Sequence, residues 1–475
     1  VLNLAVPSLS ADLKPSSAEL LWIVDIYGFL VAGSLITMGT LGDRIGRRKL
    51  LMIGAAVFGI ASTLAAFSTS AAMLIATRAL LGVAAATLAP STLSLIRNMF
   101  LDPHQRTVAI SVWIMSYSAG AAIGPLIGGV LLEHFWWGSV FLINVPVMLL
   151  LIGLGPKLLP EFRDPNAGRL DPLSAVQSLA AVLAVIYGLK RIAEGGFGWI
   201  AVLSIIAGIA VGYAFMRRQS KLADPLIDLK LFRIPAFSAA LAVNILGFLT
   251  AFAAFLFIAQ YLQSVLGLSP LRAGLWSIPS ALAFIVGSMF TPAIVRRFPP
   301  AYVIAGGMAI SAAGFILLAL VDDVASQLAV LVIGSIVFSL GLTPVVTLTT
   351  DIVLSAAPPE RAGAASALSE TSSEFGGALG IAVMGSIVTA IYRGEIAGTF
   401  PAGVPAEAAE IARGTIGGAV SVASDLPDVM GAEVLDSARE AFAHAFGTTA
   451  AISAVIAIGV ALLAVAMLRR AQASA

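Results

Sequence analysis

The 475-residue chain has no cysteine, only three histidines (His104, His134, His444) and only 11% charged residues. Without thiols there is no disulfide, no thiolate metal site and no cysteine nucleophile. Three scattered imidazoles do not build a histidine metal cluster, so no resident metal or cofactor is expected. Soluble domains carry roughly 25% charge and about 45–50% apolar residues. Here the apolar share is 59% and the mean hydropathy is +0.99. So little charge cannot clothe a water-facing surface of this length, which makes the chain an all-α polytopic membrane protein. A net charge of +1 gives no footprint for nucleic acid. The G-x-x-x-x-G-K-[ST] phosphate loop is absent, as is any soluble stretch long enough for an ATPase, so ATP is not a partner. No Ser/His or Cys/His pairing supports hydrolysis within the membrane, and the chain is not read as an enzyme. An ion gradient is then the energy source, worth ~2.3 kcal/mol per charge crossing 100 mV.

Long apolar runs are abundant. A helix needs about 20 such residues to cross a ~30 Å hydrocarbon core. Thirteen segments qualify: 20–41, 50–69, 72–96, 107–132, 139–159, 172–193, 197–216, 236–262, 272–295, 301–321, 327–353, 361–392 and 441–468. The opening Val1–Leu9 is too short to span and reads as the outer end of a first helix, which makes fourteen. Lys and Arg gather in cytoplasmic loops, and on this count nineteen of the 27 fall on one side and seven on the other, with Arg78 left as the basic residue inside a span. Both termini are then cytoplasmic. Residues 393–440, with eight acids and three arginines, lie outside as a partly ordered element that includes an amphipathic run at 432–446.

The chain repeats itself. Pro103–Ala109, with Arg106, recurs 255 residues later as Pro358–Ala364, with Arg361. Gly120 and Gly124 correspond to Gly376 and Gly380 at an offset of 256, and the basic turn Arg44–Lys49 corresponds more loosely to Arg296-Arg297. An offset of eight helices keeps the orientation, so the halves are parallel repeats with a cavity between them near the midplane. The domains are 1–160, a central helix pair within 161–235, and 236–475.

Charges in the bilayer cost about 2.5–3.5 kcal/mol each on insertion scales and mark function or a buried pair. Nine residues of helix separate Arg361 from Glu370, about 14 Å of depth, and Glu374 follows one turn later on the same face. Two neighbouring carboxylates in a low-dielectric cavity repel each other and favour proton uptake by at least one of them. The other reading is a packing role, with one glutamate held by Ser369, Ser372 or Ser373. Asp25 lies about one and a half turns inside the second helix, next to Tyr27 and Phe29, with Trp22 at the interface. It reads as a cation- or proton-binding carboxylate, or as a snorkelling acid of the outer vestibule. Asp351, near the cytoplasmic end of the twelfth helix, is divided evenly between coupling and a hydrated structural role. Arg78 needs a carboxylate or carbonyl partner, and Asp25 is the candidate; Gly82, Ala86 and Pro90 follow it on one small-residue face. Aromatic candidates for a flat, lipophilic cation are Tyr27, Trp113, Tyr117, Phe248, Phe252, Phe255, Trp276 and Phe284, with packing as the alternative for each.

These residues carry a family resemblance over essentially the whole chain. Gly39-Thr40-Leu41-Gly42-Asp43-Arg44-Ile45-Gly46-Arg47-Arg48 resembles the signature between the second and third helices of the major facilitator superfamily. Arg78, Gly82, Ala86 and Pro90 are similar to its fourth-helix motif, and Gly120, Gly124, Pro125, Gly128 and Gly129 to its fifth-helix antiporter motif. Fourteen spans, the Trp22–Tyr27 segment and Glu370–Glu374 resemble the fourteen-helix drug:proton antiporters, nearest to quaternary-ammonium and methyl viologen exporters. The resemblance implies a major facilitator fold and proton-driven efflux of lipophilic cations across a bacterial inner membrane, by a monomer in contact with lipid. It makes Asp25, Glu370 and Glu374 the recognition and coupling acids and Arg78 a proton-handling residue. Asp43 and its arginines become a latch between halves, and Gly120–Gly129 a bendable, close-packed helix. The family's first-helix Asp-x-Thr falls before Val1 in the register set by Asn3, Ala5 and Pro7, and the tenth helix lacks the acid some relatives have. The competing expectations are an exporter of an endogenous metabolite or lipid-like compound, and a non-transporting sensor or scaffold.

Overall fold

The computed structural model describes residues 2–15, 17–165, 170–195, 198–321, 327–401 and 403–473. The chain is helical throughout: α1 (Leu2–Leu13), α2 (Ser17–Ile45), α3 (Arg47–Ala66), α4 (Ala71–Met99), α5 (Pro103–His134), α6 (Ser139–Leu142), α7 (Asn144–Leu158), α8 (Pro172–Gly195), α9 (Trp199–Gln219), α10 (Pro235–Gln260), α11 (Pro270–Val295), α12 (Pro300–Ala319), α13 (Gln327–Ala356), α14 (Ala362–Thr399), α15 (Ala406–Gly414), α16 (Ile416–Asp425) and α17 (Asp428–Ala473). Helix starts follow local chemistry. Ser70, Asp102 and Ser269 each accept a backbone N–H three residues on, and the latter two precede a proline, whose missing N–H costs nothing in a first turn.

Twelve described helices are long and apolar enough to cross a membrane. Each falls on an expected segment. α5 holds the expected segment 107–132 in 32 residues but is not among the twelve, and α1, with 12, is too short to cross alone. Two helices outrun their expected spans. α14 continues to Thr399, and the segment 441–468 is the far part of α17, which starts at Asp428. Hydropathy stops at the acidic turns of 428–440, whereas the helix does not, because α17 lies against α15 and α16 there.

α2, α3, α4 and α7 pack together, as do α10, α12, α13, α14 and α17. Where the groups meet, α2 and α4 lie against α14 and α5 lies against α11 and α13. α8 and α9 form a hairpin, with α8 lodged against both α2 and α14 through Phe29, Ala32, Ile186 and Ala378. At the end away from its connecting turn the hairpin is tied by Arg218, which donates to both Asp171 oxygens at 2.6 and 3.0 Å. Those hydrogen bonds, with that of Ser174, hold the Asp171 carboxyl well below the usual aspartate range.

Candidate functional site

The end of the bundle that bears the Arg-rich turns is laced shut. Asp43 sits at the end of α2 and accepts Nε and Nη2 of Arg47 at 2.9 and 2.7 Å. It also accepts the backbone N–H groups of Gly363 and Ala364, both at 2.9 Å, at the start of α14. Arg47 goes on to donate to the carbonyls of Pro359 and Glu360. Such close approach needs Gly39, because a Cβ there would strike the Gly363 carbonyl and Ala367. Gly46 has φ 111°, which lets the chain turn between α2 and α3. Beyond that turn Glu161 receives the N–H groups of Arg48 and Lys49. Arg44 and Arg361 meet on Asp224, whose carboxylate lies 2.8 Å from one and 3.1 Å from the other. Asp224, from the segment after α9, thus bridges elements that the sequence reading treats as separate.

Asp351 belongs to this lacing rather than to a central site. It accepts Arg106 Nε at 2.7 Å and Thr107 Oγ1 at 2.9 Å, joining α13 to α5. Its position toward the helix end, opposite a buried arginine, makes it half of an ion pair.

Deeper in the bundle, side chains from four helices converge. Glu370 and Glu374 are half-buried and within electrostatic reach of each other. Tyr117 of α5 lies within reach of both glutamates and of Tyr27 on α2, which in turn lies within reach of Glu374. Yet Tyr117 is 70% exposed. Tyr117 is thus near polar groups of two other helices, α2 and α14, and still open. Trp113 stacks on Tyr117 with centroids 6.3 Å apart and donates to Thr92 Oγ1. On the opposite wall, Phe248 and Phe252 pair at 5.8 Å, with Phe252 lying 3.0 Å from where a Gly377 Cβ would stand. Asn244 ties α10 to α14 by donating to Ser372 Oγ, Ser373 Oγ and the Ser369 carbonyl. The serines therefore serve Asn244, and none of their hydrogen bonds goes to a glutamate.

Arg78 is buried and does not pair with Asp25. It donates to the Val24 carbonyl at 3.1 Å and lies over the Tyr27 ring at 5.4 Å. Gly82 lets α4 come this close, since a Cβ would meet the Tyr27 carbonyl at 2.6 Å, while Pro90 is buried within α4. The partner of Asp25 is Lys190, in the span of α8. A lysine three residues from the end of an apolar run reads as a loop-side charge, which is why Arg78 stood alone as the intramembrane base.

Trp276 lines an apolar cavity of about 620 Å³ with Leu266, Gln327 and Leu328, a lining that includes neither glutamate. The α5 glycines are not uniformly close-packed: a Cβ at Gly120 or Gly129 would meet nothing within 4 Å. Gly376 and Gly380, the repeat counterparts of Gly120 and Gly124, face the α10 backbone at Ile245 and Leu249. Gly124 is half-buried and Gly128 buried. The side chains of Asn3, Pro7 and Pro125, and the whole of Arg169, lie outside the described set.

Comparison with known proteins agrees with this architecture. A family profile described as the Major Facilitator Superfamily matches residues 1–381. The chain is 42% identical over 470 residues to the multidrug efflux pump LfrA of Mycolicibacterium smegmatis, covering 99% of this chain and 93% of the relative. It is 39% identical over 469 residues to the methyl viologen resistance protein SmvA of Salmonella typhimurium, covering 97% and 93%. The human organic anion transporter MFSD10 has the same fold, with a TM-score of 0.58 at 16% identity over 96% of this chain and 89% of that one. The chain belongs to the Major Facilitator Superfamily.

Proposed function

We propose that the chain is a multidrug efflux transporter that exchanges lipophilic and quaternary-ammonium cations for protons by alternating access. Full-length identity to LfrA and SmvA supports efflux. Methyl viologen, a flat organic dication, sets the class of cargo. The observation that carries proton exchange is the placing of Glu370 and Glu374 on an open wall between helix groups, with Tyr27 and Tyr117 opposite. Cation and proton then compete for the same negative charge. Ionised glutamates accept cargo from inside; outside, incoming protons neutralise them and release it.

In this reading fourteen helices cross a bacterial inner membrane, α1 and α5 included, with both termini cytoplasmic. Residues 1–160 and 236–475 form the moving halves, and 161–235 carry the α8–α9 pair. The laced, Arg-rich end is the cytoplasmic one, so the cavity is open outward, in the releasing state. The transporter works as a monomer and is not an enzyme.

The test is uptake of a quaternary-ammonium dye into inverted vesicles with an imposed pH gradient. Glu370→Gln lowers gradient-driven uptake by about tenfold or more, as loss of roughly 1.4 kcal/mol of coupling would. Unchanged transport by Glu370→Gln removes proton exchange at this pair from the mechanism.

A further inference from the structure

The α8–α9 pair has no part in the exchange just described, yet α8 places a charge beside one of its acids. Lys190 Nζ is ion-paired with Asp25 Oδ1 and stands 4.8 Å from the Phe29 ring centroid, with Trp22 6.2 Å behind Phe29. A carboxylate on one side and an aromatic face on the other is the environment that holds an organic ammonium ion. The pair is not sealed in: the side chains are 37% exposed for Lys190 and 19% for Asp25. Among the described residues, Asp25 Oδ2 has no hydrogen-bond partner, so the carboxylate keeps a free acceptor. Arg78 also lies within electrostatic reach of Asp25. With lysine in place the locality carries two positive charges against one negative, and it repels cationic cargo.

We propose that Asp25, Phe29 and Trp22 form a subsite for organic ammonium cations, and that Lys190 is a tethered occupant that cargo must displace on binding and that takes its place on release. The inference rests on the cation-efflux reading and adds to it a group supplied by the central helices. It leaves Asp25 paired with Lys190 once cargo has gone, while the proposed proton exchange stays with Glu370 and Glu374. Affinity follows from occupancy: a subsite filled by its own lysine nine-tenths of the time costs a cation about tenfold in apparent affinity.

The test is equilibrium binding of tetraphenylphosphonium to the purified full-length protein in detergent, with thermal unfolding as a check on folding. Lys190→Gln is expected to tighten binding by roughly tenfold, as release of the occupancy cost requires. Lys190→Arg, which keeps the charge, leaves it near wild type. Asp25→Asn weakens binding, and Lys190→Gln adds no tightening in that background. Two results overturn the subsite while leaving efflux standing: Lys190→Gln binds no tighter than wild type, or it tightens binding equally with Asn at position 25. A wild-type protein that neither binds this cation nor moves dye overturns the efflux reading, and the subsite with it.

Discussion

At the residue scale, the chemistry readable from sequence was the chemistry that is expensive in a bilayer. Glu370, Glu374, Asp25 and Arg78 stood out because a charge in hydrocarbon needs a reason. What sequence could not supply was partners, because pairing depends on distances across the fold. Asp43 and Gly363 are 320 positions apart and share a hydrogen bond of 2.9 Å. Asp224 and Lys190 carried no local signal, one sitting in a polar connection and the other near a helix end. Asp43 is the residue on which most depends, for it and Arg47 are both almost wholly buried. Removing one partner of a buried pair costs about 3–5 kcal/mol. Asp43→Asn keeps an acceptor for one backbone N–H but not the charge, so its loss should lie near ~3 kcal/mol, read as a lowered unfolding temperature in detergent.

At the element scale, helix positions were legible from hydropathy and their ends much less so. The caps Ser70 and Ser269 lie just ahead of apolar stretches, whereas Asp102 precedes the polar first turn Pro103–Arg106. α14 and α17 run past their apolar segments because neighbouring helices, not lipid, stabilise their polar ends. The α8–α9 hairpin looks featureless in sequence, yet Asp171–Arg218 clasps its open end, where α8 begins and α9 finishes. The Asp171 carboxyl titrates below its unfolded value, so its contribution is complete above about pH 4 and fades only as pH falls through the depressed value. The unfolding-temperature gap between wild type and Asp171→Asn should therefore be equal at pH 7 and pH 5, and close only in stronger acid. A gap already closing at pH 5 would mean the clasp does not hold the ionised form.

At the scale of the whole molecule, the repeated motifs suggest the two related halves of the proposed reading but not how they stand relative to each other. Matching positions sit in different surroundings: Gly376 is jammed against backbone, whereas its counterpart Gly120 faces open space. Sequence symmetry cannot reveal such a difference, because it belongs to one position of the halves rather than to the repeat. The natural lack of cysteine makes the position measurable. Gly120 lies on the face of Tyr117 with room for a side chain. Gly120→Cys should react quickly with a membrane-impermeant thiol reagent in right-side-out vesicles and slowly in inverted ones. Adding Asp43→Asn should raise the inverted-vesicle rate, by favouring the opposite opening.

The meeting of Asp43 with the first N–H groups of α14 has a last consequence. A helix that starts in a dry place needs an acceptor at its tip, and α14 borrows its own from the end of α2. On the proposed alternating-access mechanism, each time the inner door swings wide that rod loses its stopper. Glu370 rides on the same rod seven residues further on, about 10 Å away. On the proposed mechanism the acids assigned to proton exchange and the door are therefore two points on one stiff lever, and news of the door needs no longer path to reach them.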